Sequence, residues 1–257
     1  MGDLMDLKMT FAASEAAAAQ QALSALLERY EHCDEQAADV VVALGGDGFM
    51  LQTLQRTQGL ELPVYGMNRG TIGFLMNDFS LENLPQRVSE AERTTINPLA
   101  MKAKDTAGQN HVALAINEVS LLRVGPQAAH LRVFVDDRAR LQELVCDGAL
   151  LATPAGSTAY NYSAHGPILP IGSDVLALTA MAAYRPRRWR GALLPKSAGV
   201  RFDVLEPQHR PVTAYADSLA VENVVSVHIR SEVTVHHQIL FDPGHGLEER
   251  LLREQFV

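Results

Sequence analysis

Asp47 stands in the stretch Leu44-Gly45-Gly46-Asp47-Gly48-Phe49, a carboxylate among three glycines directly after the apolar, β-branched run Asp39-Val40-Val41-Val42-Ala43-Leu44. The run predicts a central parallel strand, and Phe49 to Gln55 predicts the opening of a helix. Glycines let a backbone turn tightly and come close to a phosphate without a Cβ in the way. The helix start adds free N–H groups and the positive end of its dipole. A carboxylate at the carboxyl end of a strand lies where open α/β sheets hold their ligands. There it can accept a proton from an attacking hydroxyl or position a phosphoryl donor. The same residues also fit a tight strand-to-helix turn in which Asp47 only caps the helix.

A second chemical stretch runs Cys146-Asp147-Gly148 through Thr153-Pro154-Ala155-Gly156-Ser157-Thr158-Ala159-Tyr160-Asn161-Tyr162-Ser163. Its small and hydroxyl residues offer N–H and O–H donors to a phosphate or sugar, and Tyr160 and Tyr162 offer faces for a base to stack on. It reads equally as a Pro/Gly/Ser turn with a cap before a short helix. Asn117-Glu118, at the end of an apolar strand, supplies an amide and a carboxylate able to grip vicinal ribose hydroxyls. Such a pair is also an ordinary polar strand end.

The elements that must hold these residues change character near residue 95. Before it, strands at 8–13, 39–44 and 63–67 alternate with helices at 14–30, after Asp47, and at 82–92, an order that implies a parallel sheet with right-handed crossovers. After it, short strands are predicted at 112–116, 119–124, 131–135, 139–145, 150–153, 200–205, 212–215, 224–229 and 233–235, as in a sandwich or curled antiparallel domain. One helix is expected to interrupt them, from Asp174 to Tyr184. The charged segment 247–253 reads as a short helix. The expected domains are 1–95, α/β, carrying the glycine turn; 96–235, β-rich; and a tail, 236–257.

Composition narrows the function classes. With 22 Lys and Arg against 30 Asp and Glu, the net charge of −8 argues against a general binder of nucleic acid or of anionic membranes. Arg185-Pro186-Arg187-Arg188-Trp189-Arg190 is one concentrated basic segment, read as a solvated loop. Cys33 and Cys146 match no metal or redox spacing and fit free thiols in a reducing cytosol. The nine histidines fall in no metal-binding arrangement, and no secretory signal or transmembrane run is legible.

Together, Gly45-Gly46-Asp47-Gly48, Asn68-Arg69-Gly70-Thr71-Ile72-Gly73-Phe74-Leu75, Asn117-Glu118, and Asp147-Gly148 running into Thr153 to Tyr160 resemble the ordered motifs of NAD kinases, and Ser163-Ala164-His165-Gly166-Pro167-Ile168 continues the match. The likeness covers roughly residues 40 to 235 and is to the shorter bacterial type. It implies ATP-dependent phosphorylation of the 2′-hydroxyl of the adenosine ribose of NAD. It also implies an α/β N-terminal domain, a β-rich C-terminal domain and a tail that returns to the first. A homodimer or homotetramer, with a site partly shared between subunits, is implied as well.

By position, Asp47 matches the family's catalytic acid and Gly48 its neighbour in the nucleotide pocket. Asn117, Glu118, Asp147, Ala155, Thr158, Ala159, Tyr160, Asn161, Tyr162 and Ser163 match residues that hold the dinucleotide. Ala182, in the expected helix, matches a further contact. The chemistry asks for a divalent cation, Mg²⁺, carried with ATP, and no metal ligand is assigned in the protein. The donor, ATP or polyphosphate, stays open.

Three departures from the family pattern bear on selectivity. Ala155 replaces a threonine, His165 replaces a glycine, and Ala216-Asp217-Ser218-Leu219 stands where Asp-Gly-Gln is usual. A lipid or sphingoid-base kinase shares the glycine turn, but the chain lacks an apolar lid or interfacial helix. A non-catalytic NAD(P)-binding regulator is the other reading. A Rossmann dehydrogenase is disfavoured because no strand leads into G-x-G-x-x-G.

Overall fold

The computed structural model describes residues 7–70 and 73–244. The described chain forms two compact units, one from residues up to Ile96 together with those from Val235 on, the other from Asn97 to Thr234.

The first unit opens with strand β1 (Met9–Ala13), helix α1 (Ala17–Leu27), β2 (Val40–Gly45) and α2 (Asp47–Arg56). It continues with β3 (Val64–Asn68), α3 (Leu84–Glu90) and β4 (Glu92–Ile96). The second unit contains β5 (Leu99–Asp105), β6 (Asn110–Ala115), β7 (Glu118–Arg123), β8 (Ala129–Val135), β9 (Arg138–Cys146) and β10 (Gly148–Ala152). A one-turn helix α4 (Tyr160–Ser163) precedes β11 (Val175–Met181), β12 (Gly191–Pro195), β13 (Val200–Val204), β14 (Val212–Ala216), β15 (Leu219–Val221) and β16 (Val224–Ser231). The last strand, β17 (His237–Phe241), belongs to the first unit.

The first sheet has the order β1-β2-β3-β17-β4. β1, β2, β3 and β17 run parallel, and β4 closes the edge antiparallel to β17. The expected parallel α/β layer is therefore present, with one antiparallel edge strand. β2 buries all six of its residues because both faces are covered. On one face Val40, Val42 and Leu44 pack with Leu26, Leu84 and Val88 of α1 and α3. On the other face α2 packs against β2 and β3, and a Cβ at Gly66 would lie 2.6 Å from the Met76 sulfur and 3.3 Å from that of Met50.

The second unit is a sandwich of two six-stranded antiparallel sheets, β12-β11-β10-β7-β14-β15 and β6-β5-β16-β13-β8-β9. Their inner faces share one apolar core, including Met101, Leu121, Leu131, Leu151, Leu178, Phe202 and Val227. β8 alternates buried and half-buried residues, the period-2 pattern of a strand with one face on the core.

Three expectations need correction. The helix predicted from Asp174 to Tyr184 is strand β11, paired to β10 and β12. Its interior is buried throughout, and a short apolar run buried on both faces carries no period that separates strand from helix. Val233-Thr234-Val235 is a turn and extended chain rather than a strand. The helix placed at 82–92 ends at Glu90, and Glu92 already opens β4. β4, β5, β12, β15 and β17 were not anticipated. The predicted helix at 247–253 lies outside the described residues. Among the described residues no helix is long and apolar enough to cross a membrane.

His237 is buried in β17, and burial, with His236 beside it, lowers its pKa from 6.5 to about 4. The fold therefore favours the neutral ring. Stability should be full above about pH 6.5 and fall as the pH drops toward 4, by an amount on the order of a few kcal/mol. Urea unfolding of the wild-type protein and of His237→Gln from pH 7.5 to 4 checks this; the variant should lose less.

Candidate functional site

In the first unit the glycine turn takes the form its residues dictate. β2 ends at Gly45, Gly46 caps α2 in an extended conformation, and Asp47 is the first helical residue. Gly45 is needed for space, since a Cβ there would stand 2.8 Å from the Phe49 Cβ. Gly48 is exposed, and a Cβ on it would meet nothing within 4 Å. The protein's own packing thus does not require glycine at 48, while the bare backbone beside Asp47 stays open to approach.

The Asp47 carboxylate does not cap its own helix. Its Oδ2 accepts the Phe74 N–H at 2.8 Å and its Oδ1 the Leu75 N–H at 2.9 Å. A carboxylate has about four lone-pair sites, and these two bonds fix its direction.

The loop that supplies those donors is itself fastened. Asn77 is fully buried; its Nδ2 donates to Gly66 O at 3.0 Å and Leu240 O at 2.9 Å, and its Oδ1 accepts the Asp242 N–H at 2.9 Å. Asp242 in turn accepts from the Tyr65 hydroxyl and from Arg87 Nη2, each at 2.5 Å. Burial, followed by Asp242, pushes the Tyr65 hydroxyl far above its ordinary pKa, so it remains a donor. At the start of the same connection Arg69 donates its backbone N–H to Gly45 O at 2.7 Å, and its guanidinium lies over Phe79.

In the second unit Ile116 and Asn117 carry the chain from one sheet of the sandwich to the other. Asp217, in the β14–β15 turn, accepts the N–H groups of Ile116, Asn117 and Glu118 at 2.8, 2.9 and 3.3 Å. On the other side Thr153 donates its hydroxyl to Ile116 O at 2.7 Å and its N–H to Asn117 O at 2.9 Å. Gly156 closes against this crossover, where a Cβ would fall 2.1 Å from Asn117 O. With its backbone committed, the crossover presents side chains. Asn117 Oδ1 and Glu118 Oε2 are buried and have no hydrogen-bond partner among the described residues. Burial first, and then the charge of Asp217, raises the Glu118 carboxyl to about 8, opposed by the Tyr160 backbone N–H. At neutral pH this carboxyl keeps its proton and can donate a hydrogen bond.

The other expected residues divide. Ala155 and Ser157 are buried in a 3₁₀ turn, while Thr158 and Ala159 are half-buried. Tyr160, Tyr162 and Ser163 are exposed, and burial, then Glu118, then Asp147 raise the Tyr160 hydroxyl. Asn161 lies wholly inside the fold. Its amide donates to Ser157 O and Pro167 O and accepts from Thr179, so it holds the loop in shape.

Asp147 pairs with Arg123 at 2.6 Å, and Ala182, exposed with φ +49°, follows Met181, which pairs with Gly148. These two stand at the opposite end of β10 from Glu118, which pairs with Ala152. At about 3.3 Å per residue the separation along the strand is roughly 13 Å. Asn77 and Asp217 were absent from the expected site, and Thr153, expected among the loop's hydroxyl donors, spends its hydroxyl on Ile116 O. Asp217 was visible only as the surviving acid of a family motif, and nothing local in the sequence marks Asn77. Among the described residues no three His, Cys, Asp or Glu side chains gather as a metal site.

Comparison with known proteins covers both units. A model of the ATP-NAD kinase N-terminal domain matches residues 1–93, and one of the ATP-NAD kinase C-terminal domain matches residues 116–235. A protein named NAD kinase from Cereibacter sphaeroides is 65% identical over 97% of this chain and 98% of its own. One from Hyphomonas neptunium is 56% identical over 98% of each. A yeast NADH kinase solved with NADH shares the fold, with TM-score 0.82 at 19% identity over 97% of this chain and 87% of its own. An Archaeoglobus fulgidus NAD kinase solved with ATP does so with TM-score 0.73 at 21% identity over 96% and 98%.

Because the folded carboxyl of Glu118 titrates near 8 against an ordinary 4.5, the fold holds this proton longer than the unfolded chain does. Its contribution to stability should decline as pH rises through 4.5 and level off above about 8, a loss on the order of a few kcal/mol. Urea unfolding at pH 5 and 8.5 should show that loss in the wild-type protein and a smaller one in Glu118→Gln.

Proposed function

The chain belongs to the ATP-NAD kinase family, and from that premise we propose that Asp47 is the catalytic base of its reaction, transfer of the terminal phosphoryl group of ATP to the 2′-hydroxyl of the adenosine ribose of NAD to give NADP. The observation that carries the role is the aim of the carboxylate, set by the Phe74 and Leu75 N–H groups at the carboxyl end of β2. Phosphoryl transfer asks a protein mainly for positioning and for balancing charge. The 2′-oxygen forms a bond to the γ-phosphorus, the bond from that phosphorus to the β-phosphate oxygen breaks, and ADP leaves. Asp47 accepts the hydroxyl proton as the new bond forms. Mg²⁺ enters as part of the ATP substrate and offsets its charge.

Asn117 and Glu118 hold the dinucleotide, a role supported by their two buried oxygens without a partner in the fold. Thr158 to Ser163, Gly48 and Ala155 shape the surroundings of the bound substrates. A homo-oligomer in which copies share a site belongs to the same reading and rests on the family alone. The free thiols Cys33 and Cys146 fit a cytosolic location.

Replacing Asp47 by Asn should lower turnover by about 10²–10⁴-fold while leaving NAD binding by calorimetry within about twofold. Product is read by a coupled NADP-specific dehydrogenase with Mg²⁺ and either ATP or polyphosphate. Unchanged turnover in the variant removes Asp47 from the mechanism. NAD binding without NADP formation by the wild-type protein would favour a regulator instead.

A further inference from the structure

We propose that Asp217 is a positioning residue for the dinucleotide pocket: its carboxylate gathers three successive backbone N–H groups of the crossover and so aims Asn117 and Glu118 at the ribose. This rests on the reading of Asn117 and Glu118 as dinucleotide contacts.

The crossover leaves β6 of one sheet and enters β7 of the other, so its N–H groups cannot all be satisfied by strand pairing. The Asp217 side chain takes those of Ile116, Asn117 and Glu118 at 2.8, 2.9 and 3.3 Å, and the Asp217 backbone N–H returns a bond to Glu118 O at 3.1 Å. The next residues continue as a ladder, with Ala216 opposite Val119. Asp217 adopts φ +50°, in the left-handed region. Glycine would enter that region with less strain but would bring no acceptor. The identity of residue 217 therefore serves its side chain rather than the turn.

Thr153 and Gly156 close the crossover from the opposite side. Pinned on both sides, it cannot rotate to bury or release its two polar side chains independently. Asn117 Oδ1 and Glu118 Oε2 stay buried without partners in the fold. Unsatisfied buried oxygens of this kind cost free energy that a ligand's hydroxyls can return.

Asp217 also acts through charge. Glu118 faces Asp217 from the β14–β15 turn and, from α4, both the backbone N–H and the titratable hydroxyl of Tyr160. The nearby negative charge favours the protonated carboxyl, which donates to a ribose oxygen, whereas an ionised Glu118 would only accept. Substrate capture should then weaken on the alkaline side as Glu118 loses its proton.

Steady-state kinetics of Asp217→Asn on the full-length protein test this. The amide keeps the size of the side chain but turns an N–H group toward backbone donors. KM for NAD should rise about tenfold or more, as for loss of charge-assisted hydrogen bonds, with KM for ATP within about twofold. The alkaline limb of kcat/KM for NAD should move part of the way to lower pH, because burial, the larger cause, still favours the protonated Glu118 carboxyl while the like charge that adds to it is gone. If both KM values and the limb stay put, or if both KM values rise together with no movement of the limb, the inference is overturned.

Glu118→Gln keeps the question answerable if Asp217→Asn does not fold: its KM for NAD should lose the alkaline limb, and a limb that persists overturns the charge role. Asn117→Ala separates the inference from its premise. If Asn117→Ala and Glu118→Gln leave KM for NAD unchanged, the dinucleotide reading itself fails; if they raise it and Asp217→Asn does not, only the role of Asp217 fails.

Discussion

A carboxylate oriented by two backbone N–H groups is the constraint on which the first unit turns. Asp47 could have capped its own helix, as an acid at a helix start commonly does; instead it reaches to Phe74 and Leu75. The loop carrying those donors is held by Asn77, which spans β3 and the distant strand β17, and by Asp242, which ties the end of β17 to Tyr65 and Arg87. The rigidity of one acid is thus assembled from residues nearly two hundred positions apart. Side chains locked in this way suit a reaction whose rate depends on placement more than on covalent chemistry.

The second unit solves a different problem by similar means. A chain crossing between two sheets must satisfy its backbone without a strand partner. Asp217 takes the donors and Thr153 takes the acceptors. What remains outward is a buried amide oxygen and a buried carboxyl, the latter raised to about 8 by burial and a neighbouring charge. Perturbed acids of this kind collect at functional sites, although structural networks perturb them as well. Here the missing hydrogen-bond partners favour a binding role.

Much of this was legible in the chain. The glycine turn after Val40 to Leu44 announced a strand, a turn and a helix start in the right places, because both β-branched patterning and glycine sterics act locally. The alternating strands of the sandwich could be read for the same reason. β11 could not, since Val175 to Met181 is buried on both faces and carries no period. β17 escaped because its place between β3 and β4 is a matter of topology rather than composition. Asn117, Glu118 and Tyr160 were expected together from residue type and family spacing, and the structure places Glu118, next to Asn117, within reach of Tyr160. Asn161 belonged to the same motif, yet its amide is spent inside the fold. Asn77 and Asp217 do their work through backbone groups far along the sequence, which no local pattern reveals.

The central claim is that the ribose oxygen to be phosphorylated rests against Asp47. A crystal structure of the protein with NAD measures it most directly. The account predicts the 2′-oxygen of the adenosine ribose within hydrogen-bond reach of an Asp47 carboxylate oxygen, roughly 2.6–3.2 Å. A ribose seated on another side chain, out of reach of the Asp47 carboxylate, would contradict it.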